Sequence, residues 1–182
     1  MVFDIAEFES PTGAISLAVR DQRLCALSFT DRWQPVQARL QRRFDGVEFR
    51  RAVDPAKVVS RLRAYFAGEL DALASLEVDT GGTPFQRQVW TTLRDVPPGR
   101  TVSYSDLAAL IGAPRAVRAV GAANGANPIG IVIPCHRVIG ADGTLVGYGG
   151  GMGRKRWLLL HEGARFKEAR RQTTDGRTTD ET

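Results

Sequence analysis

Between residues 70 and 84 the chain passes through a mixed stretch that ends on Pro84, and that break limits what it can fold into. Over residues 2–29 short apolar stretches are broken by the turn signal SPTG at 10–13, which reads as a hairpin and a further strand at the edge of a small sheet. Two helical patterns follow, at 35–44 and 55–67. In the second, Val58, Leu62, Tyr65 and Phe66 are spaced for one buried face and Gly68 supplies a stop. The stretch 70–82 mixes acids, Thr and Gly and then meets Pro84, which places a boundary between a sheet domain at 1–80 and a helical domain at 81–165. After Gly163 apolar residues almost vanish, so 166–182 is expected to be a partly disordered tail.

A chain of 182 residues, 43% of them hydrophobic, can bury a sizeable core. No apolar run approaches the length of a membrane span, and MVFDIAEFES carries acids where a secretory leader would be basic and then apolar. The expected location is intracellular, in the cytoplasm and away from membranes. Two cysteines, Cys25 and Cys135, and two histidines, His136 and His161, supply neither a disulfide framework nor a zinc motif, so no metal and no cofactor is expected. The formal net charge is +5, and residues 84–163 carry all of it, with nine Arg and Lys against four acids. A basic segment of this kind suits a polyanion.

Within that segment Ser103 and Asp106 form a capping-box-like start, followed by an apolar stripe of Leu107, Ala108, Leu110 and Ile111 and a stop at Gly112. In APRAVRAVGAANG, Pro114 suits a first helical turn, and Val117 and Val120 take core spacing behind Arg115 and Arg118. Two short helices joined by a glycine turn make a helix-turn-helix. Ala116, Ala119, Gly121, Ala122 and Ala123 keep the second helix slim around Arg118, so its backbone can approach a narrow groove.

In NPIGIVIPCHRVIG a β-branched run delivers Cys135 directly ahead of His136 and Arg137. A cysteine among apolar residues is ordinarily inert, and Cys25 in RLCALSF fits that description. Cys135 differs: a neutral imidazole can take its proton and Arg137 would stabilise the anion, so the surroundings favour a thiolate. Adjacent side chains on an extended strand point to opposite faces, so contact between His136 and the sulfur needs a bend at Pro134 or, preferably, a bridging water. Glu162 in LLLHEG is the best acidic candidate to orient the imidazole.

These residues carry a resemblance to the O6-alkylguanine-DNA alkyltransferase family. It rests on FQRQVW at 85–90, VSYSDLAALIG at 102–112, RAVGAANGANP at 118–128, IPCHRVIG at 133–140 and GYGGG followed by RKRWLLLHEG, with only a general likeness before residue 81. The resemblance implies an α+β fold, a small ribonuclease H-like sheet domain followed by a helical domain with a helix-turn-helix. It implies Cys135 as the alkyl acceptor, His136 and Glu162 with a water as its activating relay, Asn127 as a hinge and Tyr104 against the flipped nucleotide. It also implies minor-groove entry of the segment bearing Arg115, Arg118, Ala119, Gly121 and Ala122, with Arg118 filling the gap in the duplex. Pro134, Val138, Tyr148, Gly149 and Gly150 would line the substrate pocket; some relatives carry Ser in place of Gly149.

The expected partner is double-stranded DNA bearing O6-alkylguanine, met by a monomer, with cooperative assembly on DNA left open. The rival readings are a protein that binds alkylguanine without repairing it, a cysteine hydrolase built on Cys135 and His136, and a transcription factor with an inert cysteine. The hydrolase lacks an evident oxyanion-hole motif and leaves the helix-turn-helix unexplained, and the transcription factor predicts sequence-specific major-groove binding and survival of function in Cys135→Ala.

Overall fold

Three strands arise where the first residues alternate between two buried surfaces. The computed structural model describes residues 1–168. β1 (Val2–Ser10) and β2 (Gly13–Arg20) pair antiparallel from Asp4 opposite Val19 to Ser10 opposite Gly13. β3 (Arg23–Phe29) follows through Asp21 and Gln22, both with positive φ, the conformation that a tight two-residue hairpin demands. α1 (Trp33–Arg43) then leads to β4 (Glu48–Arg51), which pairs parallel with β1 to give the order β3-β2-β1-β4. β4 escapes the sequence reading because Phe49 is its only apolar residue, too little for a period-2 signal.

Both faces of this sheet are covered, which is why β2 and β3 are nearly continuous apolar runs. Phe3, Ala18, Cys25 and Ala26 pack with Leu40 of α1 on one face. Leu17, Val19, Leu24 and Leu27 pack with Val58, Leu62 and Tyr65 of α2 (Val58–Phe66) on the other. The expected helix at 55–67 opens as a 3-10 turn with Ala56 and Lys57 left-handed. The α-helix proper starts at Val58, where the Asp54 carboxylate accepts from the amides of Val59 and Ser60 at 2.8 and 3.2 Å.

The outer edge of β3 is not left open. Leu24 exchanges backbone hydrogen bonds with Glu77 and Asp79, and Leu27 does so with Pro128 and Gly130, all at 2.9–3.0 Å, which seals an edge that would otherwise invite association. The stretch expected as a boundary therefore lies on the sheet, and one core runs from Leu17 and Leu62 through Trp90 and Leu93 to Leu107, Val120 and Leu158.

In the helical half, α3 (Pro84–Arg94) begins on a capping box of Thr83 and Gln86. β5 (Val102–Ser103) pairs in parallel with β6 (Val138–Ile139), tying the start of the helix pair to the strand after the cysteine. Ser103 and Asp106 form the expected capping box of α4 (Tyr104–Leu110), with Leu107, Ala108 and Ile111 buried. Leu110 departs from the expected stripe and is 64% exposed, because the short helix offers its core only one side. α5 (Val117–Gly125) starts three residues after Pro114, which lies in the connecting turn rather than in the first helical turn. α6 (Met152–His161) closes the fold. Of the expected tail, Phe166 packs against Ile139 and Leu159 and the Lys167 amide donates to Gly143 O at 2.8 Å; residues 169–182 lie outside the described residues.

Because the Ser103 hydroxyl accepts the Asp106 amide at 3.1 Å and holds Tyr104 at the first position of α4, Ser103→Ala should cost about 1 kcal/mol of stability. A urea melt reads this directly, and an unchanged midpoint would show the cap to be dispensable.

Candidate active site and nucleic-acid interface

The cysteine loop is shaped by backbone brackets rather than by a strand. Asn127 donates from Nδ2 to Ile133 O at 2.8 Å and accepts the Ile129 amide at 3.0 Å, closing the loop on itself. Inside it Ile131 has φ 67°, a strained setting for a β-branched residue. Residues 129–133 therefore do not form the extended run that their composition suggests. Pro134 (φ −82°, ψ 62°) makes an inverse γ-turn, with the Cys135 amide donating to Ile133 O at 2.8 Å, and Cys135–Arg137 is a 3-10 turn. The bend leaves Cys135 half-buried on a cleft and turns His136 fully inward.

Behind the cysteine stands one buried carboxylate. Glu162, at the C-cap of α6, accepts at Oε1 from His136 Nε2 at 2.9 Å, from the Tyr65 hydroxyl at 2.7 Å and from Arg137 Nη2 at 2.9 Å; Arg137 Nε donates to Oε2 at 2.8 Å. Arg137 also donates to Val96 O. It therefore anchors Glu162 and does not face the sulfur as expected. A proton on Nε2 satisfies the carboxylate, which leaves Nδ1 as the basic nitrogen; Nδ1 is buried and has no hydrogen-bond partner among the described residues. Tyr65 is the member that the sequence reading placed only in the core. A buried tyrosine hydroxyl needs a partner, and that need was the available signal.

The titration behaviour follows from burial. Burial holds the His136 pKa below its ordinary value despite the opposing pull of Glu162, so the imidazole is neutral and able to accept a proton. Burial likewise raises the Cys135 thiol, with Asn127 and the charge of Lys155 working against it. Forming the thiolate therefore calls for a base to take the proton. Lys155 is completely buried with Nζ donating to Val138 O at 2.5 Å and Val146 O at 2.6 Å; burial lowers its pKa to about 8. Burial also raises Tyr104, with Asn124 opposing it. Cys25 lies on the far face of the sheet at 1% exposure, its thiol pushed up to about 11 by burial.

Cys135, Tyr104, Asn127, Tyr148, Gly149 and Gly150 share one cleft of about 410 Å³. Two expected pocket residues do not belong to it. Val138 is wholly buried, and Pro134, on the far side of the γ-turn, faces a separate cavity of about 550 Å³ bordered by Arg87 and Arg94. Beside the cleft, Arg115, Arg118, Ala119 and Ala122 are exposed, while a Cβ on Gly121 would stand 3.8 Å from the Tyr104 ring. Arg137 and Lys155 are buried and drop out of the basic surface counted from the sequence. No helix among the described residues is long and apolar enough to cross a membrane.

A slim basic helix-turn-helix abutting a thiol cleft with a buried His–Glu relay defines a DNA-binding protein that does chemistry with cysteine. Residues 6–80 match the model of the 6-O-methylguanine DNA methyltransferase ribonuclease-like domain and 84–164 that of the same family's DNA binding domain. The chain belongs to the 6-O-methylguanine DNA methyltransferase family, and its activity is DNA repair by alkyl transfer to a protein cysteine. A methylated-DNA–protein-cysteine methyltransferase of Salmonella typhimurium is 48% identical over 161 residues, 85% of this chain and 92% of the relative. One from Mycolicibacterium paratuberculosis is 50% identical over 155 residues, 85% and 88% of the two chains. The crystal structure of Mycobacterium tuberculosis OGT in complex with DNA aligns at TM-score 0.74 and 42% identity, covering 90% of this chain and 93% of that one. DNA is accordingly the partner of this protein.

Glu162 gives the site a pH signature. Burial alone would raise its pKa, but the hydrogen bonds and charges of His136 and Arg137 more than offset that and hold it below the ordinary carboxylate range. Its folded pKa thus lies below the unfolded value of about 4.3, so its stabilisation is complete above about pH 5 and is lost progressively as pH falls below the unfolded value towards the lower folded one. Glu162→Gln should lose about 3–5 kcal/mol near neutrality, because Arg137 is left buried without its counter-charge. It should also flatten the decline in unfolding free energy below pH 5; parallel acid limbs for the two proteins would assign that decline to other groups.

Proposed function

We propose that Cys135 is the acceptor and that it removes the alkyl group of O6-alkylguanine from a nucleotide rotated out of the duplex. The observation that carries this reading is the half-buried Cys135 on its cleft, backed by an imidazole whose Nε2 is held by Glu162 and whose Nδ1 has no hydrogen-bond partner among the described residues.

The slim face of α5 enters the minor groove, where little base sequence is read. Arg115 and Arg118 are exposed beside it, and phosphate contacts from such groups supply salt-sensitive affinity. Rotating the nucleotide out costs about a few kcal/mol of stacking and pairing, and Arg118 lowers that cost by occupying the gap. Asn127 keeps the cysteine loop in its reactive shape through the bonds to Ile129 and Ile133. Tyr148, Gly149 and Gly150 border the base.

The chemistry balances on groups already in position. The thiol proton passes through a bridging water to His136 Nδ1, whose charge Glu162 stabilises; the sulfur attacks the alkyl carbon, the carbon–sulfur bond forms and the carbon–O6 bond breaks. The departing guanine takes up a proton with the help of Tyr104, whose hydroxyl burial keeps protonated. The product is a thioether with no good leaving group, so each molecule reacts once. The protein acts as a monomer, in the cytoplasm where it meets DNA.

Intact-protein and peptide mass spectrometry after incubation with duplex DNA containing one O6-methylguanine tests this. One methyl group on the Cys135 peptide, saturating at one per molecule and absent from Cys135→Ala, is the expected result. Lesion binding without mass change would make the protein a recognition module instead. Arg118→Ala should slow transfer roughly 10–100-fold on duplex DNA, the kinetic equivalent of a few kcal/mol of lost help in flipping, and much less on a single strand; equal slowing on both would exclude the gap-filling role.

A further inference from the structure

The cleft around Cys135 has a wall that the helical half does not supply. Phe29, the last residue of β3, lines the cleft together with Tyr148 and Gly150. The three are stacked so tightly that a Cβ on Gly150 would stand 2.5 Å from Tyr148 Cε1 and 2.8 Å from Phe29 Cε2. On Phe29 lies the guanidinium of Arg154, its Cζ 4.0 Å from the ring centroid. Arg154 donates from Nε to Thr12 O at 2.9 Å and from Nη1 to both carboxylate oxygens of Asp31 at 3.0 Å and to Gly150 O at 3.2 Å. One planar cation thus joins the β1–β2 turn, the residues after β3 and the glycine loop. Gly13 leaves it room, since a Cβ there would come within 3.1 Å of Nη2.

The geometry points to Phe29, clamped by Arg154 against Asp31, Thr12 and Gly150, as the wall that sets how large an O6-alkyl group the cleft accepts. A methyl group makes little demand on this wall. A longer or branched group needs the ring to yield, and the ring is wedged between the Tyr148–Gly150 stack and a guanidinium fixed at four acceptor atoms. Phe29 is accordingly a specificity-determining residue and Arg154 a positioning residue that acts through it. A lysine at 154 keeps the charge near Asp31 but loses the planar fork that reaches Thr12 and Gly150 at the same time. The inference rests on Cys135 being the acceptor.

The experiment measures single-turnover alkylation rates of the full chain with duplex DNA carrying O6-methylguanine or O6-butylguanine, and takes the butyl-to-methyl ratio. Phe29→Ala should raise the ratio at least fivefold, Arg154→Met should raise it by a smaller factor, and Arg154→Lys should fall between Arg154→Met and the unsubstituted protein. Phe29→Leu, which keeps an apolar side chain in the sheet, stands in should Phe29→Ala fail to fold, and should also raise the ratio. Ratios that stay constant while both rates fall together, or that drop, would overturn the proposal and leave the cluster a purely structural contact. Alkylation of neither lesion at Cys135 in the unsubstituted protein would instead overturn the acceptor assignment, and this inference with it.

Discussion

The structure around the site depends on a single buried carboxylate that three side chains share through four hydrogen bonds. Glu162 takes the Tyr65 hydroxyl from the sheet half, the His136 imidazole and the Arg137 guanidinium from the cysteine loop, and itself belongs to the end of α6. An unpaired charge at that depth would cost several kcal/mol, so each partner is held to its place by the penalty for leaving. The same constraint decides the chemistry. With Nε2 bound to the carboxylate, the basic nitrogen is Nδ1, and the imidazolium that the proposed mechanism requires would already have its counter-ion.

The second determinant is the sealed edge of β3. Hydrogen bonds from Leu24 to the 77–79 segment and from Leu27 to the 128–130 segment bring the cysteine loop against the sheet. Asn127 and the γ-turn at Pro134 then only have to shape a loop whose ends are already fixed. Sheet and helix-turn-helix are in this sense one device: the first supplies Tyr65 and Phe29 behind and beside the cleft, the second supplies the helix next to it. The stretch between them cannot be cut without opening the core that both share.

What was legible in the sequence was local. The capping box at Ser103 and Asp106, the SPTG turn and the face of α2 each depend on neighbours a few residues away, and the structure contains them. What was not legible depends on partners far along the chain. Arg137 reads as a helper of the sulfur until Glu162 is seen beside it. Lys155 reads as surface charge until its ammonium is found between two carbonyls. The β-branched run 129–133 reads as a strand, and only the Asn127 bracket explains why it turns through a left-handed Ile131. β4 is nearly silent because an edge strand with one half-buried apolar side chain carries no periodicity.

The two thiols of the chain differ in access: Cys25 is shut between the sheet and α1, whereas Cys135 opens on the cleft. In the folded protein a gentle thiol reagent therefore has one target of the two and, with Cys135 as the proposed acceptor, the count of reactive sulfur per molecule is also a count of unspent repair capacity. A preparation can be assayed for its remaining working fraction by a colour reaction, without any DNA.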